Sequence, residues 1–288
     1  MVHCLVWLLT VGLYTPVFLE LYSSRWSASD YTHAYFILPI SLWLVWRKRA
    51  ILNEVFSKNT CGNISGLSIL LFGFFLFLLG WRWDFTFIVT LSIIPILYGL
   101  VSYLYGSAIT KQLLFPILYL LLLVPIPVGV IDNITLPMRY GNSVATEVVL
   151  KLFHYPVGRK GLLLYIGDSV LFMGEPCSGF RSLITLFSLG LVYVYTARGS
   201  MLTKGILVFS IIPIALTGNF IRVLAICLIT YYFGTEAGQG FFHKFSGILV
   251  FVITALGLAV FESVLNGQHN RKRKSNTNKE FESQGLSE

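Results

Sequence analysis

Gly174-Glu175-Pro176-Cys177-Ser178-Gly179-Phe180-Arg181-Ser182-Leu183 closes a polar, turn-rich segment and opens an apolar run. It places a cysteine where a membrane helix meets water. Pro176 lacks an amide hydrogen and suits the first turn of a helix, where that donor has no partner in any case. The spacing predicts a helix beginning at Cys177, with the thiol beside the positive end of the helix dipole, which favours the thiolate. Arg181, four residues on, falls on the same helical face and adds a second positive influence. A packed small residue with a neighbouring cation for anchorage accounts for the same segment equally well.

The surroundings of this stretch are those of a membrane protein. Of 288 residues, 56% are hydrophobic, 15% aromatic and only 12% charged, and the mean hydropathy is +0.75. That leaves too little polar surface to cover a water-soluble globule, and an all-α polytopic chain follows. The net charge of +8 does not indicate nucleic acid, because the basic residues form short clusters between apolar runs, as membrane topology requires. Cys4, Cys61, Cys177 and Cys227 are widely separated, so neither a disulfide framework nor a CxxC metal site is expected, and no cofactor is implied.

Eight crossings are expected. The first apolar run, Val2 to Tyr22, lacks a basic leader and a small-residue cleavage site and is expected to be retained. The second, Ala34 to Trp46, stops at Arg47-Lys48-Arg49, a cytoplasmic mark. The third spans Gly66 to Trp81, the fourth Phe85 to Tyr105, and the fifth Leu113 to Ile131, its helix ending near Val124 because Pro125 and Pro127 remove backbone donors. Asp132 to Tyr155 is expected to lie at the interface as an amphipathic helix. A small hairpin around Gly167-Asp168-Ser169 then delivers the chain to Cys177.

Cys177 to Tyr195 is the expected sixth helix. Leu202 to Phe233 exceeds the ~20 residues that cross a bilayer, so a break is expected at Gly218-Asn219, with Gly234 to Gly240 as a loop. The last helix is Phe241 to Leu265. Residues 1–266 would form the membrane domain and residues 267–288 a cytoplasmic, basic, disordered tail containing Arg271 to Lys274. With both termini cytoplasmic, Cys177, the outer part of helix seven and His243 all fall on the extracytoplasmic side.

Arg222 is an ionisable residue in an apolar run, where a charge costs about 2.5–3.5 kcal/mol on insertion scales and calls for a partner or a wet cavity. Snorkelling to the headgroups is the alternative. Asn219, three residues earlier, shares its face and either orients the guanidinium or ties helices together. His243 is followed one turn later by Gly247, which would let another helix approach the imidazole. A histidine beside Lys244 is also a common boundary residue. Together Cys177, His243 and Arg222 supply a nucleophile, a proton-transfer group and a donor for developing negative charge, the set that acyl transfer needs. No His/Glu cluster for a metal protease and no Gly-x-Ser-x-Gly elbow is present.

These pieces resemble the exosortase and archaeosortase family of membrane-embedded cysteine transpeptidases. The matching residues are Tyr31-Thr32-His33-Ala34 with Arg47-Lys48-Arg49; Phe115-Pro116 with Val124-Pro125-Ile126-Pro127; Glu175 to Leu183; Ile214 to Arg222; and His243 with Gly247. They cover the chain from about Tyr31 to Gly247. Departures are Glu175-Pro176 directly before the cysteine and Gly218 at a site often held by alanine. The resemblance implies Cys177 as nucleophile, Arg222 as catalytic arginine and His243 as catalytic histidine; their spacing along the helices puts Asn219 and Gly247 in support, and Arg181 is the reserve candidate for oxyanion binding or thiolate stabilisation.

It also implies the activity: cleavage of a C-terminal sorting signal (short motif, transmembrane helix, basic end) on secreted proteins, through a thioester, at the outer side of a prokaryotic cell membrane. The partners would be those substrates, membrane lipid and an acceptor nucleophile of unknown identity, and no soluble domain is appended. A noncatalytic component of exopolysaccharide export, or a small transporter using Arg222 to bind an anion, is the alternative from another class.

Overall fold

The computed structural model describes residues 2–26, 31, 33–57, 62–196 and 201–239, with residues 252, 256–257, 260 and 263 beyond them. Among the described residues the chain is mostly helical and carries one small sheet. It divides into two compact units, Met1–Asp132 and Asn133–Glu288.

In the first unit α1 (Val2–Glu20) runs into a π-turn (Leu21–Trp26), and α2 (Ala34–Arg47), α3 (Arg49–Ser57), α4 (Ser65–Arg82), α5 (Thr86–Leu91) and α6 (Ile93–Tyr119) follow. Gly66, Gly73 and Gly80 recur every seven residues on α4 and so share one face. A Cβ on Gly73 would sit 2.6 Å from the Ile96 side chain, and one on Gly80 would sit 2.7 Å from the Val89 nitrogen. Bare backbone therefore lets α4 lie directly against α5 and α6, the packing that replaces the hydrophobic effect between helices in lipid. Gly73→Leu is expected to cost at least about 1–3 kcal/mol through overpacking, read as a lowered thermal midpoint in detergent. An unchanged midpoint would show that the two helices part without penalty.

α6 breaks at Gly106 (φ 83, ψ 169), a conformation only glycine adopts without strain. The apolar stretch Thr86–Leu123 is divided at this glycine, directly after Tyr105, where the expected fourth run ends. As expected the helix gives out before Val124, after a 3-10 turn at Leu120–Leu123. The proline-rich segment that follows is held by Tyr31, whose hydroxyl accepts from Ile126 N (2.8 Å) and donates to Ile126 O (3.1 Å).

α7 (Val128–Leu152) leads into the second unit. Strands β1 (Val157–Lys160), β2 (Leu163–Ile166) and β3 (Ser169–Phe172) form an antiparallel meander with Leu164 opposite both Arg159 and Leu171. Gly161 (φ 62) and Gly167 (φ 56) take the left-handed conformation that its two-residue turns require. The expected hairpin is therefore β2–β3, with β1 added at its edge. A 3-10 turn (Glu175–Ser178), α8 (Phe180–Thr196) and α9 (Met201–Gln239) complete the unit. The inner face of the sheet, through Leu164, Ile166 and Leu171, packs with Leu150, Met173, Val223, Ile226 and Cys227 around Cys177.

Among the described residues four helices are long and apolar enough to cross a membrane: His3–Ser24, Ser65–Arg82, Thr86–Leu123 and Met201–Gly238; Ala34–Arg47 and Phe180–Thr196 are shorter apolar helices. The chain is a membrane protein. The expected eighth helix and the basic tail lie outside the described residues apart from isolated positions. α9 does not break at Gly218-Asn219. It continues to Gly234 (φ 86, ψ 171), and helical geometry resumes where a loop was expected.

Candidate active site

Cys177 is not the first residue of a helix. It occupies the 3-10 turn Glu175–Ser178, Gly179 follows in the left-handed conformation (φ 76), and α8 begins at Phe180. The Ser178 hydroxyl accepts the Phe180 N–H (3.1 Å), so the helix end is partly satisfied before the cysteine is reached. Because Gly179 reverses the backbone between them, the one-turn helical spacing of Cys177 and Arg181 is lost. Arg181 is exposed.

Two helices hold the turn. From α9, Asn219 donates its side-chain amide to the Cys177 carbonyl (3.0 Å), and Arg222 donates to the Pro176 carbonyl (2.9 Å). From α7, Asn142 donates to the same Cys177 carbonyl (3.0 Å). Asn219 is fully buried and Arg222 is 8% exposed, so Arg222 meets its insertion cost with a backbone partner at the turn and does not snorkel away. Asn219 does tie structural elements together, and what it ties is the backbone of Cys177.

Asn142 and Arg139 were not singled out from the sequence. Arg139 lies one turn before Asn142, is 9% exposed, and donates to Thr135 Oγ1 (3.3 Å). With Thr135, Ser143 and Thr146 it forms a buried polar stripe, while Ile134, Leu136, Val148 and Leu152 point outward. α7 thus turns this polar stripe inward to the cysteine, with Leu150 buried beside it, and leaves Ile134, Leu136, Val148 and Leu152 outward. The signal was present in the four- and three-residue spacing of these polar residues, with an arginine at its middle.

The Cys177 thiol is 3% exposed. Burial pushes it up from the ordinary cysteine value, while the Arg222 guanidinium, the backbone at Gly174 and the Arg139 guanidinium act in the opposite direction. The resting group is therefore a thiol that two arginines bias toward ionisation, not a thiolate made by a helix end. Removing one of those charges shifts the balance further toward the thiol. Arg222→Gln is expected to slow alkylation of Cys177 by a small permeant maleimide several-fold near neutral pH, with the difference closing as pH rises. Site-resolved mass spectrometry reads this, and identical pH profiles would show that the charge does not reach the sulfur.

His243 and Gly247 lie outside the described residues. Of the described histidines, His33 belongs to the first unit and His154 to the second. No group of three or more His, Cys, Asp or Glu side chains able to hold a metal occurs among the described residues.

The comparison with known proteins bears on the whole of this arrangement. No curated protein and no solved structure matches the chain. A family model described as transmembrane exosortase matches residues 26–260, a span that takes in the tyrosine-clamped proline segment, α7, the cysteine turn and α9. With that much of its length accounted for, the chain belongs to the transmembrane exosortase family.

Proposed function

We propose that this exosortase is an intramembrane cysteine protease or transpeptidase that removes a C-terminal sorting signal from secreted proteins at the outer side of a prokaryotic cell membrane. The observation that carries the reading is the double clamp on the cysteine turn. Asn142 and Asn219 fix one carbonyl and Arg222 the next, so the backbone bearing the sulfur is set before a substrate arrives. Preorganisation of this kind is what a nucleophile in a desolvated site needs.

In the proposed reaction the Cys177 sulfur attacks the carbonyl carbon of the scissile peptide while its proton passes to His243. Arg222 steadies the oxyanion. The carbon–nitrogen bond then breaks, His243 returns the proton to the leaving amine, and a thioester to Cys177 remains. An acceptor with an N–H or O–H nucleophile attacks the thioester and regenerates the thiol. The substrate's own apolar helix, lying beside the enzyme's, limits the orientations its motif can take and supplies much of the proximity a soluble protease must build. Membrane lipid and the acceptor complete the set of partners, and surface attachment or export is the outcome.

The test is co-expression with a secreted protein of the same cell that ends in a short motif, an apolar helix and a basic cluster. A product shortened by that tail supports the reading. An intact tail in every such protein, with the enzyme present in the membrane, refutes it.

A further inference from the structure

The outer face of the three-stranded sheet is apolar. Alternation places Leu163, Tyr165, Val170 and Phe172 on the side away from the core, and Tyr165, Val170 and Phe172 are 40%, 41% and 58% exposed. Lys160, opposite Leu163, stands at its edge. A sheet lying in water would carry polar residues on that face.

The sheet is also tied to a known height along α9. β2 and β3 pack on α9, and the turn glycine between them, Gly167, lies against the ring of Tyr231. Tyr231 belongs to an aromatic group with Tyr155 and Tyr232, with ring centroids 5.0–6.4 Å apart. Tyr155 and Tyr232 share a hydrogen bond of 3.0 Å between hydroxyls. The rise from Lys204 to Tyr231 is about 40 Å at 1.5 Å per residue, which matches the ~40–45 Å thickness of a bilayer with its headgroup zones. Tyrosines at one end and a lysine at the other are the residues that anchor a span at its two interfaces.

From this placement we propose that the outer face of the sheet is a lipid-binding surface, seated at the boundary between headgroups and acyl chains of one leaflet. Leu163, Val170 and Phe172 enter the acyl boundary, Tyr165 keeps its hydroxyl among the headgroups, and Lys160 meets lipid phosphate. Met173 and Gly174 join β3 to the cysteine turn, so the same contact sets the depth of that turn.

The experiment uses the full chain in vesicles of phosphatidylethanolamine and phosphatidylglycerol. Phe172→Cys, in a background of Cys4→Ser and Cys61→Ser, is labelled with an environment-sensitive dye under mild conditions that leave buried Cys177 and Cys227 unreacted. For a face about 5–10 Å into the headgroup boundary, a nitroxide carried near the lipid headgroup quenches several-fold more than one at the chain end or aqueous iodide. Dominant quenching by iodide overturns the proposal and makes the face one for a protein in water. Shielding from all three quenchers also overturns it, because protein then covers the sheet. Val170→Cys and Tyr165→Cys carry the same measurement should Phe172→Cys fail to fold. The readout needs no catalysis, so loss of the protease reading leaves the result standing.

Discussion

Cys177→Ser leaves the protein in the membrane at its normal level and reduces removal of a substrate's C-terminal signal by on the order of 1,000-fold or more, as loss of a nucleophile does when the other groups of a site act only through it. Serine is close to cysteine in size, so the turn closes around it as before, held by the carbonyl hydrogen bonds from Asn142, Asn219 and Arg222. What changes is the reacting atom. A hydroxyl at a position 3% exposed ionises far less readily than a thiol, and the arginines that bias the thiol do not bring it into range. Cys177→Ala serves as control and gives the same loss. Full processing by Cys177→Ser, in protein shown by protease protection to be inserted correctly, excludes this mechanism. Absence of processing in the wild type as well points instead to the noncatalytic export role.

Much of this arrangement was legible before any coordinates. Hydropathy alone defines the membrane class, and Cys177, Asn219 and Arg222 stand out because each is polar or reactive in an apolar setting. What sequence spacing does not tell is the direction in which a polar stripe faces. Thr135, Arg139, Asn142, Ser143 and Thr146 on α7 have the period of a water-facing surface, and equally the period of a surface turned toward a buried site. Only the packing of α7 on the cysteine turn decides between them.

Glycines were ambiguous in a second way. Gly179, Gly218 and Gly234 all sit at or within apolar runs, and a backbone reversal is open to each. The chain reverses at Gly179 and Gly234 but not at Gly218. At that point Asn219 spends its side-chain amide on Cys177 and leaves its own helix intact. The edge strand β1 was missed because Val157-Gly158-Arg159-Lys160 shows no apolar alternation. It is held by pairing with β2 and by Arg159, which meets Glu147 of α7 at 2.9 Å. Lys151 and then Arg159 hold the Glu147 carboxyl below its usual range.

Gly179→Ala is expected to disable the enzyme without touching any reacting atom, and it separates two constraints that meet at this residue. The first is conformational: φ is 76°, a region that costs an L-residue with a side chain roughly 1–2 kcal/mol. The second is steric. A Cβ at 179 would lie 2.7 Å from Asn219 Cγ and 2.8 Å from its Cβ and Nδ2, so the donor that fixes the Cys177 carbonyl must move or the turn must open. The two together predict a loss of about 2–5 kcal/mol in stability, taking the usual cost of overpacking for the second, and at least a tenfold fall in processing.

Adding Asn219→Gly empties the contested space and relieves the steric part alone. The double variant should recover part of the thermal midpoint and none of the activity, because the Cys177 carbonyl has then lost one of its two amide donors. Recovery of processing in Gly179→Ala/Asn219→Gly would mean that the asparagine serves only as a spacer and that the clamp is not what orients the sulfur. A single variant as active and as stable as the wild type would mean that the turn is free to open, and the preorganisation on which the catalytic reading depends would be absent.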